Sequence, residues 1–123
     1  MMTSKRILLV EDQEDGRRIV RDLLASSDYA LIEAKTGEEG LALAEQERPD
    51  LILMDIQLPG LDGYEVTRRI KANPALSHIP IVAVTSYALS GDEQKAYAAG
   101  CNDYVAKPFS PRALMAKIRE YLK

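Results

Sequence analysis

Cysteine is almost absent from this chain, and its single instance, Cys101, excludes an internal disulfide and a cysteine-based zinc site. Histidine is equally scarce. His78, the only one, sits in the polar loop 73–78 with no second titrating group adjacent in sequence, and reads as a solvated loop residue rather than a proton relay. No apolar run approaches the roughly 18 residues that a membrane span needs, and Met1–Arg6 lack the apolar stretch of a signal peptide. The expectation is a cytoplasmic protein that does not meet a membrane. Excess basic charge is missing too: 16 Lys and Arg against 19 Asp and Glu leave a net charge of −3, a poor match to the phosphate backbone of nucleic acid. Internal repeats, linkers and low-complexity tracts are also lacking.

What is present is an ordinary globular composition. With 123 residues, 46% hydrophobic and 28% charged, the chain reads as one domain over 1–123 able to build a core without staples. The charge is uneven. Residues 107–123 carry five basic groups against Glu120 alone, a local charge of +4, and the remainder carries −7. At the other extreme, residues 11–15 read Glu-Asp-Gln-Glu-Asp directly after an apolar run.

Five short apolar runs read as strands: Ile7–Val10, Ala30–Ala34, Leu51–Met54, Ile81–Val84 and Tyr104–Ala106. The first, third and fourth are continuously apolar, as strands covered on both faces must be, which puts them at the sheet's centre. The second is more polar and belongs at an edge. Helical spacing fills the gaps. In the first helix Ile19, Val20, Leu23 and Leu24 line the apolar face and Arg17, Arg18, Arg21 and Asp22 the polar one. Thr36 with Glu39 and Ser90 with Glu93 match the capping-box spacing at the second and fourth helices. Val66 and Ile70 anchor the third helix. Ser110-Pro111 opens the fifth, which continues through Leu114, Ile118 and Leu122, and Gly100 is a stop for the fourth. This (βα)5 alternation implies an α/β, doubly wound parallel sheet with ligands outside the carboxyl ends of its strands.

That rim gathers chemistry. Glu11 and Asp12 follow the first strand, Asp55 ends the third, Thr85 ends the fourth, and Lys107 follows the fifth. Taken singly, each has an ordinary reading as a cap, a β-former or a solvated lysine. Together, three carboxylates repel one another unless a cation offsets them. Hard oxygen donors in small number suit Mg2+, with Asp12 and Asp55 as direct ligands and a backbone carbonyl near Gln57 as a third. A carboxylate beside a metal, an ammonium and a hydroxyl can attack a phosphoryl group and become an acyl phosphate.

The ordered motifs Glu11-Asp12, Leu51-Ile-Leu-Met-Asp55-Ile-Gln-Leu-Pro59-Gly60, Asp62-Gly63, Val84-Thr85-Ser86 and Tyr104-Val-Ala-Lys107-Pro108-Phe109 resemble those of two-component response-regulator receiver domains. The likeness covers nearly the whole chain, and is nearest to stand-alone regulators of the DivK type and to receivers attached to hybrid kinases. It implies the CheY-like, flavodoxin-like five-stranded sheet in the order 2-1-3-4-5, with no output domain attached. It also implies that Asp55 accepts phosphate from a sensor histidine kinase or a histidine phosphotransfer protein. Asp12 and Glu11 would organise Mg2+, Glu11 through water because many members have Asp there. Lys107 would contact the phosphoryl group, Thr85 would move toward it, and Tyr104 would swing inward. A cis Lys107–Pro108 bond fits the same pattern. The output would be protein binding on the face of the fourth helix, fifth strand and fifth helix. Gln57 and Tyr87, two residues beyond Asp55 and Thr85, stand where an attacking water would pass; neither is a strong base, so a long-lived phosphoryl group is expected.

Rival readings fit less well. A flavin mononucleotide protein shares the fold but needs a donor-rich loop after the first strand, where Glu11–Asp15 would repel phosphate. An aspartate-based phosphatase needs an acid where Gln57 stands. A receiver-like interaction module that never sees phosphate would have no use for the complete acidic cluster with Thr85 and Lys107.

Overall fold

The computed structural model describes residues 4–85 and 92–122. Ser86, Tyr87 and Ser90, to which the sequence gives roles in a motif, a water path and a cap, lie outside the described residues. The chain alternates strand and helix throughout: β1 (Arg6–Val10), α1 (Glu14–Leu24), β2 (Ala30–Ala34), α2 (Gly37–Glu47), β3 (Leu51–Asp55), α3 (Gly63–Ala72), β4 (Ile81–Thr85), α4 (Asp92–Ala99), β5 (Asp103–Ala106) and α5 (Pro111–Tyr121). The strands are all parallel, in the order β2-β1-β3-β4-β5. This is the doubly wound arrangement expected, with the three continuously apolar strands inside and the more polar β2 at an edge.

Alternation along each strand divides the core in two. Leu8, Val10, Ile52, Met54, Ile81 and Ala83 point to one face, where Ala44, Val66, Ile70 and Ala96 of α2, α3 and α4 cover them. Ile7, Leu9, Leu51, Leu53, Val82 and Val84 point to the other, against Val20 and Leu24 of α1 and Leu114, Met115 and Ile118 of α5. Leu122 closes that second face, as its spacing predicts.

Helix ends follow local chemistry. Thr36 Oγ1 accepts the Glu39 N–H at 3.0 Å, but the Glu39 carboxylate reaches back to the N–H of Lys35, one residue earlier than a capping box requires. Asp62 and Ser110 cap α3 and α5 by accepting the N–H groups of Glu65 (2.9 Å) and Ala113 (3.0 Å), contacts of the kind worth about 1 kcal/mol. Gly100 stops α4 with φ +115°. Cys101 is buried beside Thr67, and His78 is exposed, as expected of a solvated loop residue.

The α1 pattern needs correction. Arg17, placed on the polar face by periodicity, is buried at 7% exposure, and Ile19, placed on the apolar face, is 52% exposed. Arg17 goes inward because acceptors await it there, and Ile19 is left at the mouth of a cavity described below.

Gly63 ties this frame to the strand ends. A Cβ there would lie 2.4 Å from the Asp55 carbonyl oxygen and 2.8 Å from the Ile56 Cα, so α3 can approach the end of β3 only with glycine at its first position. Gly63→Ala is expected to lower stability by about 1–3 kcal/mol, the range for overpacking against backbone, as read from the midpoint of urea unfolding. An unchanged midpoint would show that the two backbones are not in contact in solution.

Candidate functional site

Strand register creates the site. Leu9 pairs with Leu53 and Val10 with Met54, so the residues two beyond Leu9 and Leu53, Glu11 and Asp55, project side by side from the same face of the sheet. Both are almost fully buried, at 2% and 6% exposure. One carboxylate oxygen from each of Glu11, Asp12 and Asp55 lies within 4.8 Å of the others.

The third element is Lys107. Its backbone N–H donates to the Thr85 carbonyl at 2.7 Å, which extends the β4–β5 ladder by one bond. Its side chain then crosses to Glu11 Oε1 in a close ion pair, with Asp55 Oδ2 3.7 Å from the same nitrogen. The Lys107–Pro108 bond is cis, as the motif suggests. Backbone donors complete the shell: Gln13 N–H donates to Glu11 Oε2 at 3.2 Å and Gln57 N–H to Asp55 Oδ1 at 3.0 Å.

The structure thus brings together Glu11, Asp12, Asp55 and Lys107, with Gln57 exposed beside them and the buried Thr85 joined through its carbonyl. Tyr104 is not at the carboxylates. It pairs with Ala83 and packs half-buried against the core on the α2–α4 side, the side to which alternation along β4 also assigns Thr85. Two features escape the sequence reading. At Gly16 a Cβ would meet Glu11 Oε1 at 2.6 Å, so glycine leaves room for that carboxylate; a glycine inside a helical pattern was the available signal. A cavity of about 410 Å3 also opens beside the site, bounded by Gly16, Ile19, Val20, Pro108, Phe109 and Leu114.

Electrostatics separate the two paired acids. Burial pushes Asp55 up to about 7, reinforced by its hydrogen bond and charge repulsion with Glu11, while Lys107 and the Gln57 N–H oppose the rise. Burial also pushes Glu11 upward, but its hydrogen bonds with Asp55 and Lys107 and the Lys107 charge outweigh it and hold Glu11 below the usual carboxylate range. Without a bound cation, the coupled pair therefore keeps a proton into the neutral range, with Asp55 the weaker acid of the two. The donor set is all hard oxygen, close-packed and short of positive charge, and it fits a small divalent ion such as Mg2+.

A pH dependence follows. An unfolded aspartate ionises near 3.8, whereas folded Asp55 holds its proton to about 7, so metal-free folded protein binds more protons across that window and loses stability as pH rises through it. Asp55→Asn removes the titration. In a chelating buffer the variant is expected to melt several degrees above wild type at pH 8, with the difference vanishing toward pH 4. A difference independent of pH would show that Asp55 keeps ordinary acidity.

Comparison with known proteins agrees with this geometry. The response regulator receiver domain family matches residues 7–119. The chain is 45% identical over 118 residues to the polar-differentiation response regulator DivK of Brucella anthropi, covering 96% of both. A putative response regulator from Chloroflexus aurantiacus superposes with a TM-score of 0.92 at 30% identity, covering 98% of each chain. The receiver domain of a sensor histidine kinase from Pseudomonas aeruginosa, solved with magnesium coordinated in its active-site cleft, superposes with a TM-score of 0.90 at 38% identity, again over 98% of each chain. With the acid pair, the lysine and the strand order already in place, this chain belongs to the response regulator receiver domain family, the phosphoacceptor signalling module of two-component systems.

Proposed function

We propose that this chain receives a phosphoryl group on Asp55 from a phosphohistidine, carried by a sensor histidine kinase or a histidine phosphotransfer protein. The observation that carries the reading is the acid at the end of the central strand with Lys107 Nζ 3.7 Å from its Oδ2 and two further acids in reach. Asp12, Asp55 and the Gln57 backbone carbonyl would hold Mg2+, with Glu11 contributing through water; the magnesium in the relative's cleft supports this. Bound there, the cation supplies charge neutralisation for the acceptor and the incoming phosphoryl oxygens.

The chain's own groups supply the rest. The ionised Asp55 carboxylate forms the new O–P bond as the P–N bond breaks, and the departing imidazole keeps its electron pair. Lys107 stabilises charge on the phosphoryl oxygens and the Thr85 hydroxyl provides a hydrogen bond. The chain catalyses its own modification and turns over no other substrate. A switch at Tyr104 then alters the α4–β5–α5 face for a protein target, where Arg112, Lys117 and Arg119 favour an acidic partner.

The donor must approach Asp55 from the open side of the rim. There Ile19, half exposed, stands beside Pro108 and Phe109 at the cavity mouth and offers an apolar foothold for the donor's helix.

Acetyl phosphate with Mg2+ is expected to add one phosphoryl group to the intact mass of wild type and none to Asp55→Ala. Equal labelling of the variant would overturn the assignment, and no labelling of wild type would favour a module that binds partners without phosphate. Ile19→Glu is expected to slow transfer from a phosphohistidine donor by about tenfold, as loss of a central contact does, and to leave acetyl phosphate labelling unchanged. Equal loss with both donors would place Ile19 in the fold or the chemistry instead of the docking face.

A further inference from the structure

We propose that Arg17 is a positioning residue for the metal-binding loop, holding Asp12 on target through the Glu11–Asp12 peptide. The inference rests on the metal reading given above. Arg17 Nη1 donates to the Glu11 carbonyl oxygen at 2.9 Å in a fully buried bond. Its other nitrogens face carboxylates, with Nη2 3.6 Å from Glu14 and Nε 3.5 Å from Glu33. Glu33 is itself held by Arg21, whose Nε and Nη2 donate at 2.9 and 2.7 Å. Those hydrogen bonds keep the Glu33 carboxyl below its ordinary range, so it remains an anion facing Arg17.

The consequence for Asp12 is geometric. A peptide is planar, so a carbonyl fixed in direction also fixes the plane of the N–H and Cα that follow it. The Glu11 N–H already donates to Ala34 at 3.0 Å, and the Glu11 carboxylate is held by the Gln13 N–H and Lys107. With Arg17 on the carbonyl, all four polar faces of Glu11 are engaged, and the Asp12 side chain, half-exposed at the cluster's edge, is left with little freedom except its own rotamers. Arginine suits the task because its planar fork can bond a carbonyl and two carboxylates at once, which a lysine cannot.

Two effects of Arg17 on a cation oppose each other, and the opposition makes the proposal testable. As a positive charge near the cluster, Arg17 repels Mg2+; as a clamp, it preorganises a ligand. Removing it would tighten Mg2+ binding if charge dominated, weaken it if positioning dominated, and leave it alone if Arg17 only stabilised the helix.

The experiment compares wild type, Arg17→Met and Arg17→Lys, well below their melting temperatures. Mg2+ affinity is read by calorimetry, labelling by acetyl phosphate is followed across a Mg2+ series, and amide hydrogen exchange is read in metal-free protein. Positioning predicts that Arg17→Met binds Mg2+ about tenfold more weakly, the usual scale for residues that orient metal ligands, yet labels within about twofold of wild type once Mg2+ saturates. Arg17→Lys should fall between, which also covers the case in which Arg17→Met fails to fold. Without metal, the Gln13 amide should exchange faster in both variants while the Lys107 amide does not change. Unchanged or tighter Mg2+ binding, or a Gln13 amide as protected as in wild type, would overturn the proposal. If wild type binds no Mg2+, the metal reading fails by itself and the exchange data still decide whether Arg17 orders the loop.

Discussion

The acid pair Glu11–Asp55 is the constraint around which the rest of this molecule is arranged. Two carboxyl groups at 2% and 6% exposure repel one another when both are ionised, and a single unpaired buried charge is costly. The fold supplies partial relief from three directions: Lys107 from the end of β5, and the Gln13 and Gln57 N–H groups from the two loops that follow the acids. These lower the cost without removing it, as the upward displacement of Asp55 to about 7 records. A site poised in this way gains most from a ligand that brings positive charge to Asp55 and displaces its proton, which is a thermodynamic argument for a divalent cation independent of any likeness to other proteins.

Much of this was legible in the residues alone. Continuous apolar runs at β1, β3 and β4 identified buried central strands, and once those strands were parallel their carboxyl ends had to share a rim. The sequence alone therefore groups Glu11, Asp12, Asp55, Thr85 and Lys107. Illegible was the sheet register that sets Glu11 beside Asp55 rather than merely near it, because pairing partners depend on contacts 44 residues apart in the chain, as between Leu9 and Leu53. The α1 helix shows a different limit. Periodicity weighs each residue by its own polarity, and so it sends Arg17 outward and Ile19 inward. In the folded protein Arg17 has acceptors at Glu11, Glu14 and Glu33, which offset its desolvation, while the cavity beside Gly16 leaves Ile19 with solvent on one side.

The far side of the molecule has its own anchor. Asp103, the first residue of β5, accepts from Lys117 at 3.0 Å and from the Tyr121 hydroxyl at 3.1 Å, which bolts the start of the strand to α5. Lys117 is stabilised in its charged form mainly by that bond; the Tyr121 hydroxyl is pushed up to about 12 by burial first and by Asp103 second. Lys71 makes a comparable clamp at the end of the sheet away from the rim, donating to the Ile79 carbonyl at 2.7 Å and to Asn102 at 3.0 Å. The base of the β4–β5 region is thus held firmly on both sides.

That asymmetry bears on how a change at Asp55 could reach a partner. β5 is four residues long, fixed at Asp103 by α5 and joined at its other end to the acid cluster through Lys107. Under the proposed phosphorylation of Asp55, Lys107 would exchange Glu11 for a phosphoryl group, and a short edge strand pinned at its base and tethered at its tip would take the displacement at Tyr104 to Ala106 and at the Thr85 carbonyl that accepts the Lys107 N–H. Tyr104 is the large side chain in that stretch, and it lies half-buried on the α4 side, so a small shift of backbone there would change how much of its ring the core accepts. A ligand shifts such an equilibrium only by its differential contacts with the two arrangements. On the proposed function the differential contact would be the choice of Lys107 between the buried Glu11 carboxylate and the charge on Asp55, so the ion pair that offsets the cost of the acid cluster would also be the element through which its occupancy is read.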